Sequence, residues 1–186
     1  AAASAGDNTK IYLSNHSYGY VGGWSQAMVG GSPEVVWFGS YNAADPAASQ
    51  ATLFGRYGSI ARDYDDLSWD APYYLIFKSA GHDANDPAPT SGTWYENADV
   101  TKPHDFSVAP PSDFDLMTDE GKSYNLLGER SSAKNVLTVG SGTDATDGGG
   151  LRSVGASSLN GFSSTGPTDD GRIKPDLIAN GNSLVS

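Results

Sequence analysis

Apolar residues fall along this chain in short blocks separated by glycine-rich and polar stretches. Lys10 to Asn15 reads as a short strand, and it runs into the Gly/aromatic segment Ser17 to Trp24, a strand end turning into loop. From Asp45 to Asp66 the period changes. Ala47, Ala51, Leu53, Phe54, Tyr57, Ile60, Ala61 and Tyr64 recur at three- and four-residue steps behind Pro46, which predicts an amphipathic helix weakened by Gly55 and Gly58. After the turn at Asp70 to Pro72, Tyr73 to Lys78 is a continuous apolar run whose length favours a buried strand over a helix. Residues 83–122 are polar, rich in Pro, Asp, Ser and Thr, and without a clear period, which predicts an insertion or several irregular loops. Asn135 to Gly140 gives a second buried strand, Asp147 to Gly150 a glycine-rich turn, Leu151 to Gly155 an alternating stretch, and Asp176 to Ala179 a last short apolar element. Strand, helix, strand in the first half predicts a parallel βαβ unit with a right-handed crossover, hence an α/β fold. No internal repeat or linker divides the chain, and 186 residues suit one domain or a large part of one.

Charge removes two classes of partner. Lys plus Arg number 11 against 22 Asp plus Glu, a formal net charge of −11. Nucleic acid and anionic membrane surfaces both call for a basic face, so neither is an expected partner. No apolar run approaches the roughly 20 residues that span a bilayer. Ala1 to Gly6 lack the basic start and apolar core of an export signal, so the expectation is a soluble chain whose signal has been removed or lies outside it. Cysteine is absent, which excludes disulfides, thiolate zinc sites and a cysteine nucleophile. The 23 glycines mark a turn-rich globular protein, and the acidic, Tyr- and Gly-rich composition suits a secreted bacterial one.

Several chemical signatures are missing. There is no Gly-x-Ser-x-Gly elbow, no His-Glu-x-x-His pair, no Walker loop and no EF-hand spacing. Gly140-Ser141-Gly142 and Gly148-Gly149-Gly150 lack the register of a dinucleotide fingerprint and read as turns. Of the three histidines, His16 and His104 read as loop residues. His82 is more suggestive: it follows Ser79-Ala80-Gly81 at the carboxyl end of a predicted buried strand, where α/β sheets place ligands, with a hydrogen-bonded loop histidine as the alternative. Asp144 and Asp147, and Asp63, Asp65 and Asp66, offer hard oxygens to calcium, although solvated loop and helix-end charge is the plainer account. No cofactor is assigned, and calcium stays open.

Longer stretches are more specific. Leu75-Ile76-Phe77-Lys78-Ser79-Ala80-Gly81-His82-Asp83 resembles the apolar strand ending in Ala-Gly-Asn of the subtilisin-like serine peptidases, the subtilases. Asn135 to Gly140, then Leu159 to Pro167 and Gly171-Arg172-Ile173-Lys174-Pro175-Asp176-Leu177-Ile178-Ala179, resemble the next blocks of that family in the family's order. The Gly-Arg-Ile-Lys-Pro-Asp element after Ser164-Thr165-Gly166-Pro167 is highly specific. Asn15-His16-Ser17-Tyr18-Gly19 likewise resembles the family's strand that flanks bound substrate. The resemblance covers nearly the whole chain apart from 83–122 and the first few residues, and is closest to the large secreted bacterial branch.

The resemblance implies a subtilisin-like three-layer α/β fold with a mostly parallel sheet, here an incomplete portion of it. Residues 1–186 are then the central segment of a single catalytic domain of a secreted or extracellular serine endopeptidase acting on peptides or proteins. Ser17, Tyr18 and Gly19 match the segment that pairs with the substrate backbone as an added strand. Ser79, Ala80 and Gly81 match the lining of the pocket for the side chain before the scissile bond. His82 stands at the family's oxyanion-hole asparagine, a donor whose removal costs about 10²–10³ in turnover. Histidine also donates a hydrogen bond, with different reach and protonation.

The triad blocks are not found. The family's His-Gly-Thr occurs nowhere, and Gly92-Thr93 and Gly142-Thr143 continue into Trp94 and Asp144 rather than the serine of the nucleophile block. By block order the resemblance implies that the chain begins after the Asp and His segments and stops shortly before the Ser segment. Such a piece exposes a sheet edge and an apolar face, so the remainder of the catalytic domain is an expected partner, and the chain alone is expected to be inactive. The alternative reading is a non-catalytic pseudopeptidase or peptide-binding module. A third, a carbohydrate-binding β-sandwich without the 45–66 helix, needs Trp24, Trp37 or Trp94 exposed to stack on sugars.

Overall fold

In chain order the strands of the computed structural model are β1 (Leu13–His16), β2 (Gly23–Val29), β3 (Ser32–Phe38), β4 (Leu75–Ser79), β5 (Thr93–Glu96), β6 (Pro103–Asp105), β7 (Met117–Asp119), β8 (Lys122–Tyr124), β9 (Leu137–Gly142) and β10 (Leu177–Asn180). One α-helix, α1 (Ser59–Asp70), lies between β3 and β4. The structure describes residues 10–42, 44, 54–85, 91–105, 117–119, 122–146 and 149–182. Part of the 83–122 stretch, part of the 147–150 turn and the 45–53 half of the predicted helix lie outside them.

The apolar blocks pair as the βαβ pattern requires. β1, β4, β9 and β10 form one sheet in that order, and each neighbouring pair is parallel. The fold is α/β with a parallel sheet at its centre. Alternation along β4 and β9 sends Ile76, Lys78 and Thr138 to one buried face. On that side Ala61 of α1 meets Ile76, Ala133 and Val136, with Tyr57, Tyr64 and Tyr74 around them. The opposite face carries the register partners Leu13 and Leu75, Phe77 and Leu137, and Val139 and Leu177. No described helix covers it, and Leu13 is 61 % exposed.

Helix α1 starts later than the periodicity predicts. Gly55 sits at φ +67°, outside the right-handed region, and a Cβ there would lie 1.9 Å from Asn125 Oδ1. Phe54 forms a bridge with Gly128, so the chain is held away from helix until Ser59. The helix then gains its anchors from elsewhere. Glu129 accepts the Ile60 N–H at 3.1 Å, placing a carboxylate at the helix start. Asp65 accepts the Tyr57 hydroxyl at 2.7 Å and the N–H groups of Lys134 and Asn135 at 3.0 and 2.6 Å. Asp65→Ala removes the acceptor from all three donors. The expected cost is about 2 kcal/mol, read as a lower urea midpoint at unchanged slope.

Residues 83–122 are not wholly irregular. β5 and β6 join the β2–β3 hairpin in a second sheet, order β2-β3-β5-β6, and β7 pairs with β8. The hairpin turns at Gly30 and Gly31, both at positive φ, which a two-residue turn of this kind needs. Its core is aromatic: Trp24, Trp37 and Trp94 pack with Phe54 and Leu126. All three tryptophans are buried and α1 is present, which overturns the carbohydrate-binding sandwich. The alternating Leu151–Gly155 stretch contributes a bridge, Thr146 to Arg152, and a 3-10 turn at Val154–Ala156 rather than a strand.

Candidate functional site

The site grows from the carboxyl ends of two adjacent strands. β1 and β4 run in register, Asn15 beside Phe77 and His16 beside Lys78, and the chain then departs in two directions. Ser17 to Val21 forms one wall of a cleft of about 180 Å³, and Ser79 to Asp83 forms the other, with Gly128 and Ser131 beneath. Ser17, Tyr18, Gly19, Ser79, Ala80, Gly81 and His82, each singled out from the sequence, all line this one cleft.

Each wall is pinned from outside. The Ala80 N–H donates to Val139 O at 2.8 Å, and Ser131 Oγ donates to Ser79 O at 2.7 Å. Gly81 takes φ +114°, and its carbonyl accepts the Ser164 N–H at 3.1 Å. Ser164 Oγ accepts the Asp83 N–H and donates to the Asp83 carboxylate, both at 3.1 Å. His82 is exposed at the rim and has no hydrogen-bond partner among the described residues. Such a ring is open to a ligand atom.

The facing wall is anchored by aromatic and cationic groups. The Tyr18 hydroxyl and His16 Nδ1 are 2.6 Å apart, and Tyr64 reaches the same hydroxyl at 3.5 Å. Burial, then the Tyr18 hydroxyl, pushes the Tyr64 pKa up to about 12. Arg130 stands 5.4 Å from the Tyr18 ring and 4.3 Å from that of Tyr20, close enough for cation–π attraction. Lys78, which sequence reasoning did not select, reaches across from β4 to the carbonyls of His16 and Tyr18. The ridge from Ser79 to His82 also borders a second hollow of about 550 Å³ over Phe77, Val139 and Ala179 on the uncovered sheet face.

The Gly171 to Asp176 block acts as a brace behind these walls. Arg172 donates to Ser132 O at 2.7 Å, and Lys174 donates to Val136 O at 2.9 Å and to Asp176 at 2.7 Å. Asp176 accepts the Thr138 N–H at 2.7 Å, fixing the start of β9.

A family model described as the subtilase family, peptidase S8, matches residues 1–186, the whole chain. The chain belongs to the subtilase family. At family level it is a serine endopeptidase, a hydrolase acting on proteins. No curated protein matches it. Among the described residues of this subtilase, no group of three or more His, Asp or Glu side chains is placed to hold a metal ion. Of the carboxylates weighed for calcium, Asp65 is engaged with Tyr57 and two backbone N–H groups, and Asp147 lies outside the described residues. No described helix is long and apolar enough to cross a membrane.

Proposed function

We propose that this chain supplies the substrate-binding and oxyanion side of a secreted subtilisin-like serine endopeptidase, with the triad contributed by further polypeptide. The observation that carries the reading is the cleft between Ser17–Gly19 and Ser79–His82. Ser17 to Gly19 pairs with substrate backbone as an added strand, and the small residues Ser79, Ala80 and Gly81 leave room for the side chain before the scissile bond. His82 donates to the carbonyl oxygen as negative charge develops on it. A serine, activated by histidine and carried over the uncovered face beside Phe77 and Val139, attacks that carbonyl. The remainder of the catalytic domain is the partner that covers this apolar face.

The test is turnover of a blocked tetrapeptide p-nitroanilide by the full-length protein. His82→Asn restores the shorter, permanently neutral donor and is expected to raise kcat about tenfold with KM little changed. No gain would count against an oxyanion role for position 82. The histidine at that position favours a second reading, a peptide-binding module without catalysis. Labelling of the full-length protein by a fluorophosphonate separates the two: an activated serine takes the label, and a module without catalysis does not.

A further inference from the structure

Lys78 is a charge that the proposed chemistry does not use. It is 2 % exposed, near the carboxyl end of β4, in a run that is otherwise apolar. Among the described residues no carboxylate lies within ion-pair distance of it. A buried ammonium without a counter-ion is costly unless every N–H finds an acceptor. Here each does. Nζ donates to His16 O at 3.0 Å, to Tyr18 O at 2.5 Å and to Ser79 Oγ at 3.2 Å. Two of these acceptors are backbone carbonyls on either side of Ser17, so the ammonium holds the chain where it leaves β1.

We propose that Lys78 is a positioning residue for peptide substrate, its ammonium clamping the carbonyls of His16 and Tyr18 so that Ser17 to Gly19 keeps the shape that accepts an added strand. The role rests on the substrate-strand reading of Ser17 to Gly19. A methionine would fill the same space without the clamp, and the neutral amine would clamp less well, because it has two N–H donors for three oxygens.

The surroundings make this clamp responsive to pH. The charged and titratable groups around it are His16 at the end of β1, Tyr18 and Tyr20 beyond it, His82 and Asp83 on the cleft wall that follows β4, and Glu129 and Arg130 on the 3-10 turn Glu129–Ser132, while β9 presents the uncharged Thr138. Burial first, and the Arg130 guanidinium second, lower the Lys78 pKa to about 8. Affinity therefore falls as pH rises through 8. Stability moves the other way. With a folded pKa below the ordinary value of 10.5, the unfolded chain binds more protons between about pH 8 and 10.5, and folding gains from this residue as pH rises through that window. A lysine that only fills the core shares the stability trend and leaves affinity unchanged.

The experiment uses the full-length protein and a blocked tetrapeptide with a reduced, uncleavable terminal amide. Its Kd is measured by calorimetry from about pH 7 to 9.5, and hydrogen exchange at residues 17–19 is followed over the same range, for wild type, Lys78→Arg and Lys78→Met. In wild type the Kd is expected to rise about tenfold with a midpoint near 8, and protection of residues 17–19 to fall in step. Lys78→Arg, whose cation persists, should flatten both curves. Lys78→Met should bind weakly throughout; if it does not fold, the wild-type and Lys78→Arg series carry the test. A midpoint that survives in Lys78→Arg, or protection at 17–19 that ignores pH, overturns the clamp. Protection that falls while Kd stays flat leaves the clamp standing and overturns the substrate-strand reading beneath it.

Discussion

Gly81→Val is expected to lower peptide affinity at least about 100-fold while leaving the protein folded. Gly81 sits at φ +114°, a region that β-branched residues avoid, so valine is strained there before any contact is counted. A Cβ would also lie 2.7 Å from Ser164 Oγ and 2.8 Å from the Asp83 carboxylate, two partners already bonded to each other. The chain has to move away from Ser164, and the wall that runs from Ser79 to His82 moves with it. Because that wall is one side of a narrow cleft, a small displacement closes or splays the site. Gly161→Ala is the control. A Cβ at that glycine meets nothing within 4 Å and its φ is not positive, so affinity should stay within about twofold of wild type. Calorimetry with the uncleavable tetrapeptide reads both variants.

The second large effect is on stability. Trp94→Ala is expected to cost about 3–5 kcal/mol, the range for emptying a buried aromatic site. Trp94 is fully buried, stacks on His104 at 4.2 Å, and meets the rings of Trp24 and Tyr41 edge-on at 5.3 and 5.0 Å. It joins β5 to β3 and to the Trp24 and Trp37 pair on the hairpin, so its loss loosens the second sheet as a unit. Trp69 provides the contrast. At 81 % exposure on α1, its replacement by alanine should change stability by less than about 0.5 kcal/mol. Urea unfolding followed by tryptophan fluorescence and by helical circular dichroism measures both.

The parallel sheet was legible because its strands are apolar runs bounded by turn residues. The predicted 73–78 and 135–140 runs correspond to β4 and β9, each displaced by one or two residues. Gly55 and Gly58, noted as weakening the helix, mark where it cannot begin. The β2–β3 hairpin escaped the reading although Gly30-Gly31 between Trp24–Val29 and Val35–Phe38 is a usable turn signal. The second sheet was harder, since it depends on Val35 pairing with Trp94 across a long separation, a contact that local pattern does not encode. The cleft residues could be named because loops after parallel strands hold ligands and because the family's blocks fall there. Lys78 could not. A lysine ending an apolar run reads as the point where a strand meets water, and only the placement of two backbone carbonyls shows otherwise.

In the proposed function, Ser17–Gly19 and Ser79–His82 together hold a peptide. A crystal structure of the full-length protein with a peptide aldehyde decides whether they do. The peptide backbone is expected to pair with Ser17 to Gly19, with its last side chain beside Ser79 to Gly81 and the aldehyde oxygen within hydrogen-bond distance of His82. A peptide seated elsewhere, with the cleft empty, would overturn this role for the two segments.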